Sequence, residues 1–338
     1  MTNSKTHGML LGKFLPPHRG HCYLADFASN FVDHLSIIVG TLPSEPIPGH
    51  LRFSWMQELF PQAQVLHLDK VLPQDPSEHP DFWNIWTREL QAILPNPPDV
   101  IFASEPYGHK LAEVLGARFI PVDLARKNVP TSGTAIRNDP YSNWEFIPPV
   151  VRSYFLKRVC IFGPESTGKS TLTQNLAEHY KTSCVPEYAR CYLEEFGDEL
   201  DSDAFMDIAR GQIAAEKALA SSAHSILFCD TDPLLTTVWS QFLIDQVAPQ
   251  LKEFALEHTY DLYLLTKPDV PWVADSVRYL PDERETFFQA CEKALQEANR
   301  PYAIISGSWH NRFKQAERAI SDLLKKHPFQ LNPFTLSF

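Results

Sequence analysis

The chain has no Cys-x-x-Cys pair, no internal repeat and no Gly/Ser-rich linker, and none of its apolar runs approaches the ~20 residues that span a bilayer. Each absence removes a class of protein. The six cysteines (Cys22, Cys160, Cys184, Cys191, Cys229, Cys291) are scattered, so no dithiol centre is indicated. Cys160 and Cys229 sit in apolar strand-like runs and are expected as buried, reduced thiols. A basic excess is also lacking: 41 acidic against 30 basic side chains give a formal charge of −11. Both halves share it, with 12 basic and 15 acidic residues over 1–156 and 18 and 26 over 157–338. A sequence-independent nucleic-acid binder needs a basic face, so neither nucleic acid nor membrane is expected as a partner. The expected setting is the cytoplasm.

What remains is a globular composition in a chain long enough for two domains. Short apolar runs alternate with helix-period segments, which predicts an α/β fold with parallel sheets in both halves. Strands are expected at 9–13, 35–40, 64–68, 100–103 and 118–122, with helices at 20–30, 51–59, 82–94 and 108–115. The pattern restarts with strands at 158–162, 183–186, 225–229, 260–265 and 302–305. Helices are expected there at 169–180, 203–221, 282–299 and 311–326. Five β-α alternations in the first half predict a Rossmann-like unit. The domains are placed at 1–152 and 153–338.

The strongest motif is Gly163-Pro164-Glu165-Ser166-Thr167-Gly168-Lys169-Ser170, which fits G-x-x-x-x-G-K-[ST] between an expected strand and an expected helix. Backbone N–H groups and the helix N-terminus can wrap the phosphates of ATP. Lys169 can reach the β/γ-phosphates, and Thr171 follows in the helix. The Ser170 hydroxyl can ligate Mg²⁺. A second metal-orienting acid is expected at the end of a neighbouring strand, where Cys229-Asp230-Thr231-Asp232 offers Asp230 first and Asp232 second. Either could instead cap the helix opening at Pro233.

Glu187, at the end of the strand 183–186, is the candidate acceptor base; it could also merely favour a helix N-terminus. Tyr188 and Arg190 follow it. The polar stretch 268–284 reads as a lid carrying Trp272, Asp275, Arg278 and Arg284, whose arginines could stabilise transferring phosphoryl charge. Trp272 could be a platform for a cationic base or could pack under the lid.

In the first half, Gly12-Lys13-Phe14-Leu15-Pro16-Pro17-His18-Arg19-Gly20-His21 stands at a strand-to-helix turn. Metal ligation and simple capping are alternatives, but no third ligand supports zinc. The better reading is a phosphate site in which the imidazole N–H groups of His18 and His21 donate to ATP. Ser132, Thr134 and Arg137 form a second anion-binding helix start.

Gly-x-Phe-x-Pro-x-His-x-Gly-His, followed by Ser-x-Thr-x-x-Arg, resembles the signature pair of the nucleotidyltransferase superfamily. Joined to the P-loop half, the whole chain resembles the NadR-type bifunctional enzymes. Thr131 departs from the family pattern, which commonly has isoleucine before the serine. Two activities in NAD⁺ salvage are implied by this resemblance. A ribosylnicotinamide kinase would make nicotinamide mononucleotide (NMN) from nicotinamide riboside and ATP, and an adenylyltransferase would join NMN to ATP to give NAD⁺. The resemblance also implies that Trp83 and Trp86 contact nicotinamide, and it agrees with the segments around Glu187, Asp230 and Trp272. Because the first strand starts near residue 9, the repressor segment of some relatives is not expected. Two rival readings are a coenzyme A-type adenylyltransferase/kinase and a nucleotide-sensing regulator with degraded catalysis. The Phe-rich tail 327–338 could pack on a neighbouring subunit or fold back on its own domain, so a homo-oligomer stays open.

Overall fold

The computed structural model describes residues 5–274 and 282–325. The chain divides into two compact units, Met1–Val151 and Arg152–Phe338.

The first unit runs β1 (His7–Gly12), α1 (Arg19–Ser29), β2 (His34–Thr41), α2 (Gly49–Leu59), β3 (Gln64–Asp69), α3 (Phe82–Ile93), β4 (Val100–Ala103), α4 (Tyr107–Leu115), β5 (Arg118–Pro121) and α5 (Gly133–Asn138). Its five strands pair in parallel in the order β3-β2-β1-β4-β5. Both faces are buried. Leu10, Ile37, Val39, Val100 and Phe102 point toward α1 and α2, while Met9, Ile38 and Ile101 point toward α3 and α4. That period-two division of apolar residues is why the strands read as nearly continuous hydrophobic runs. The strand order reverses between β1 and β4, and ligands of such sheets sit at the carboxyl ends of the strands flanking that reversal.

After α6 (Pro149–Phe155), the second unit runs β6 (Lys157–Phe162), α7 (Lys169–Tyr180), β7 (Cys184–Val185), α8 (Tyr188–Phe196), α9 (Ser202–Ala220), β8 (Ile226–Asp230), α10 (Pro233–Ile244), α11 (Pro249–Glu257), β9 (Leu262–Thr266), α12 (Arg284–Glu297), β10 (Tyr302–Ile305) and α13 (Trp309–Lys325). The parallel order is β10-β9-β6-β8-β7, with β6 central. One face packs Val159, Ile161, Phe228 and Leu264 against α7 and α13. Burying each such side chain fully contributes roughly 1.5–3 kcal/mol. Cys160, Cys229 and Cys291 are buried free thiols, whereas Cys191 is exposed. Among the described residues no helix is long and apolar enough to cross a membrane.

Candidate active sites

In the first unit the turn after β1 is shaped by its own side chains. His18 is the N-cap of α1, and its Nδ1 accepts the Gly20 N–H at 3.1 Å. The His18 N–H in turn donates to His21 Nδ1 at 3.3 Å. Both Nδ1 atoms are therefore acceptors, which assigns the proton of each neutral ring to Nε2. The two rings stack at 3.7 Å between centroids. Burial, with help from the Arg126 charge, pulls His18 down to about 4. Burial, then His18 and Arg126, hold His21 well below the usual imidazole range. At neutral pH these are neutral N–H donors rather than cations.

This depression sets a pH dependence. Unfolded His18 takes a proton near ~6.5, whereas folded His18 resists it down to about 4. The unfolded state thus binds more protons within that window. Stability falls as pH drops through it, by ~1.4 kcal/mol for each unit separating the two values. We expect the melting temperature of the full chain to decline from pH 6.5 to 4, and to decline less steeply in His18→Gln. An identical slope in the variant would refute the assignment.

The segment predicted from far along the chain comes to the same place. Ser132 caps α5 by accepting the Ala135 N–H at 3.1 Å. Arg137 donates to the Leu15 carbonyl at 2.5 Å and to Thr134 Oγ1 at 3.1 Å. Gly133 lies so close that a Cβ there would stand 2.5 Å from the Leu15 oxygen. Together these segments line a cleft of about 750 Å³ that also includes Gly12, Lys13, Phe14, Trp83 and Trp86. Trp86 is oriented by its indole N–H donating to the Pro73 carbonyl at 2.8 Å.

Arg52, which the sequence did not single out, underlies this turn. It is fully buried and donates to the carbonyls of Lys13 at 2.6 Å and Ile47 at 3.1 Å, and to Glu45 at 2.5 Å. Glu45 also pairs with the Lys13 ammonium at 3.1 Å.

In the second unit, the loop of residues 163–170 follows β6 and opens α7. Gly163 and Gly168 have φ of 134° and 80°, where a side chain is strained. A Cβ at Gly163 would stand 2.7 Å from Thr266 Oγ1, and one at Gly168 would stand 2.3 Å from the Trp309 ring. Thr167 Oγ1 donates to Pro164 O at 2.8 Å, and Lys169 Nζ donates to the same carbonyl at 2.9 Å. Arg312, also missed from sequence, is buried behind the loop. It donates to the carbonyls of Thr167, Lys267 and Gly307 at 3.0, 2.7 and 2.9 Å and pairs with Asp269.

Glu165, Ser166, Gly168, Lys169, Ser170 and Thr171 line a cavity with Glu187 and Arg190. Glu187 occupies the N-cap position of α8, yet its side chain makes no capping bond. Asp230 is buried at the end of β8 beside Ser170. Burial, followed by the Glu187 charge, raises its proton affinity, which Lys169, Ser170 and Arg190 partly offset. Its Oδ1 has no hydrogen-bond partner. Asp232, the second-choice metal acid, caps α10 instead. It accepts from the Leu235 N–H and the Tyr263 hydroxyl, both at 2.9 Å.

Two further expected residues lie outside the cavity wall. Tyr188 packs its ring over Gly211 of α9, where a Cβ would come within 2.0 Å of it. Trp272 lies under the Arg284 guanidinium, 5.6 Å from its centroid, and is not part of the lining. The aromatic that does line it is Trp239, on α10, with Phe205 and Ile208 of α9. These apolar residues look like ordinary helix-core positions in sequence. Arg284 also donates to Val270 O at 2.9 Å, and Ser166 Oγ accepts the Val273 N–H at 2.8 Å, so the start of the expected lid is tied to the loop. Asp275, Arg278 and the tail lie outside the described residues.

A family model described as an AAA domain matches residues 158–312. The chain is 29% identical to the trifunctional NAD biosynthesis/regulator protein NadR of Escherichia coli K12, over 95% of this chain and 84% of that protein. Two crystal structures of a NadR protein are similar to it at 24% identity. One, with NR bound, has a TM-score of 0.79 and matches 95% of this chain and 97% of its own. The other, with NAD and AMP-PNP, has a TM-score of 0.76 and matches 95% and 96%.

Proposed function

We infer that this chain, which is of the NadR type along 95% of its length, makes NAD⁺ in two consecutive ATP-dependent steps. It is a nicotinamide riboside kinase in its second unit and an NMN adenylyltransferase in its first. The observation that carries this reading is that each unit has its own phosphate-shaped turn opening onto its own cavity.

In the kinase unit, ATP phosphates lie along the N–H groups of the loop 163–170, with Lys169 on the β/γ-phosphates. The riboside 5′-hydroxyl attacks the γ-phosphorus in line. Its O–P bond forms as the bond to the β-phosphate oxygen breaks, and Glu187 takes the proton. Freedom from capping leaves the Glu187 carboxylate available for that role. The residues fit a magnesium ion. Asp230 has an unpartnered oxygen beside the Ser170 hydroxyl, a pairing of acid and hydroxyl that suits an oxygen-ligated divalent cation. When bound, magnesium would neutralise charge on the transferring phosphoryl group. Arg190 adds a cation at the same wall.

In the adenylyltransferase unit, a phosphate oxygen of NMN attacks the α-phosphorus of a second ATP, and pyrophosphate leaves. No general base is required, because a phosphate monoester with a second pKa near ~6 is largely ionised already. The work is positioning and charge neutralisation. The Nε2–H groups of His18 and His21, the N–H groups of α5, and Lys13 and Arg137 supply it, while Trp83 and Trp86 offer flat surfaces to nicotinamide.

The test is direct turnover. With ATP and magnesium, the purified chain should convert nicotinamide riboside to NMN, and NMN to NAD⁺ and pyrophosphate, and should leave 4′-phosphopantetheine unchanged. Turnover of the pantetheine alone would establish the coenzyme A reading. Nucleotide binding with no turnover would establish the sensor.

A further inference from the structure

Glu187 stands at the N-cap of a helix, where a side-chain oxygen can accept from the N–H of the second or third helical residue. It does not do so here. The first N–H of that helix, from Tyr188, is taken by a side chain on another element: Gln212 Oε1 of α9 accepts it at 2.9 Å. The other end of the same amide, Nε2, reaches the main-chain carbonyl of Asp230 at 3.4 Å. Gln212 is 2% exposed, so both ends of its amide depend on protein partners. The preceding residue, Gly211, leaves a notch that the Tyr188 ring fills. One turn of α9 thus grips the root of α8 and the end of β8 at once.

Resting on the kinase reading above, we propose that Gln212 is a positioning residue for phosphoryl transfer, fixing the root of α8, and with it Glu187, at a set separation from Asp230. The amide is the only described side chain that bonds to both Tyr188 and Asp230 through their backbones. Gln212 itself does not line the cavity. Its influence passes through the two carboxylates, and a small displacement of a proton acceptor is costly in an in-line transfer.

Gln212→Met keeps the length and volume of the side chain and removes both bonds. Gln212→Glu keeps an acceptor for the Tyr188 N–H. In the full chain, with nicotinamide riboside and ATP as substrates, Gln212→Met should lower kcat for riboside phosphorylation by roughly 10–100-fold. KM for ATP should stay within about twofold, because the hydrogen bonds of Gln212 go to Tyr188 and Asp230 and not to the loop 163–170. Gln212→Glu should recover part of the lost kcat. The proposal is overturned if Gln212→Met keeps wild-type kcat. It is also overturned if kcat and ATP affinity fall together, or if Gln212→Glu recovers nothing. A wild-type chain that phosphorylates no riboside would instead remove the kinase reading itself, and this proposal with it.

Discussion

Lys169→Ala is expected to lower riboside phosphorylation by ~1,000-fold or more, equivalent to ~4 kcal/mol of transition-state stabilisation, while NAD⁺ formation from NMN proceeds at its normal rate. The reason lies in the loop geometry. The Lys169 ammonium is buried and donates to Pro164 O, so it is held over the concavity where the β/γ-phosphates belong. Alanine leaves the developing phosphoryl charge without that cation. The first unit has a separate sheet and turn, and nothing in its cleft involves Lys169. His21→Ala should give the reciprocal result, removing one Nε2–H donor from the adenylyl site and leaving the kinase intact. Parallel assays of the two half-reactions decide the matter. If either substitution in a folded chain abolished both activities, the independence of the two sites would be refuted.

Arg52→Met should have the second large effect, this time on the fold that supports the site. The guanidinium is fully buried and holds three bonds at once, to Lys13, Ile47 and Glu45. Removing it leaves the Glu45 carboxylate nearly enclosed, with the half-exposed Lys13 ammonium as counter-charge and the Leu42 N–H as backbone donor. Breaking a buried pair by deleting one partner typically costs about 3–5 kcal/mol. Denaturant melts should show the first unit destabilised by that order. Adenylyl transfer should fall further than stability alone explains, because the Lys13 carbonyl loses its anchor. Adding Glu45→Gln should restore part of the stability, since the stranded charge is then gone. A loss below ~1 kcal/mol would show that the pair is not the anchor described.

Much of this was legible in the sequence because the features are local. Strands at 100–103 and 302–305 and the helix at 169–180 match their expected limits, since each is bounded by turn residues or by the phosphate loop. Other edges moved by one to a few residues, where fraying and capping decide the boundary. Helix α11, Pro249–Glu257, was not read as an element. It opens on a proline, which the first helical position accepts readily. The Asp-Pro step at 232–233 reads as either metal acid or cap in sequence; in the fold Asp232 is buried, caps α10 through the Leu235 N–H and accepts the Tyr263 hydroxyl.

What sequence could not supply was long-range. Arg52, Arg312 and Gln212 look like solvated helix positions until the fold encloses them. Trp239 looks like core, while Trp272 looks like a binding platform because it stands in a loop. In the fold it is Trp239, on α10, that packs beside the loop 163–170 with residues of α9.

The Arg137 bond to the Leu15 carbonyl, and its counterpart from Arg312 to the Thr167 carbonyl, bear on synthesis as well as catalysis. In each unit the phosphate-shaped turn is made early in the chain and is closed by an arginine delivered near the unit's end. On the ribosome, neither turn can be completed when it first emerges. The adenylyl site waits for residue 137, then finishes while the kinase half is still being translated. The kinase site waits for α13. A nascent chain stalled between those points would carry a finished first site and an open second one, and nucleotide present at that stage would stabilise only the first.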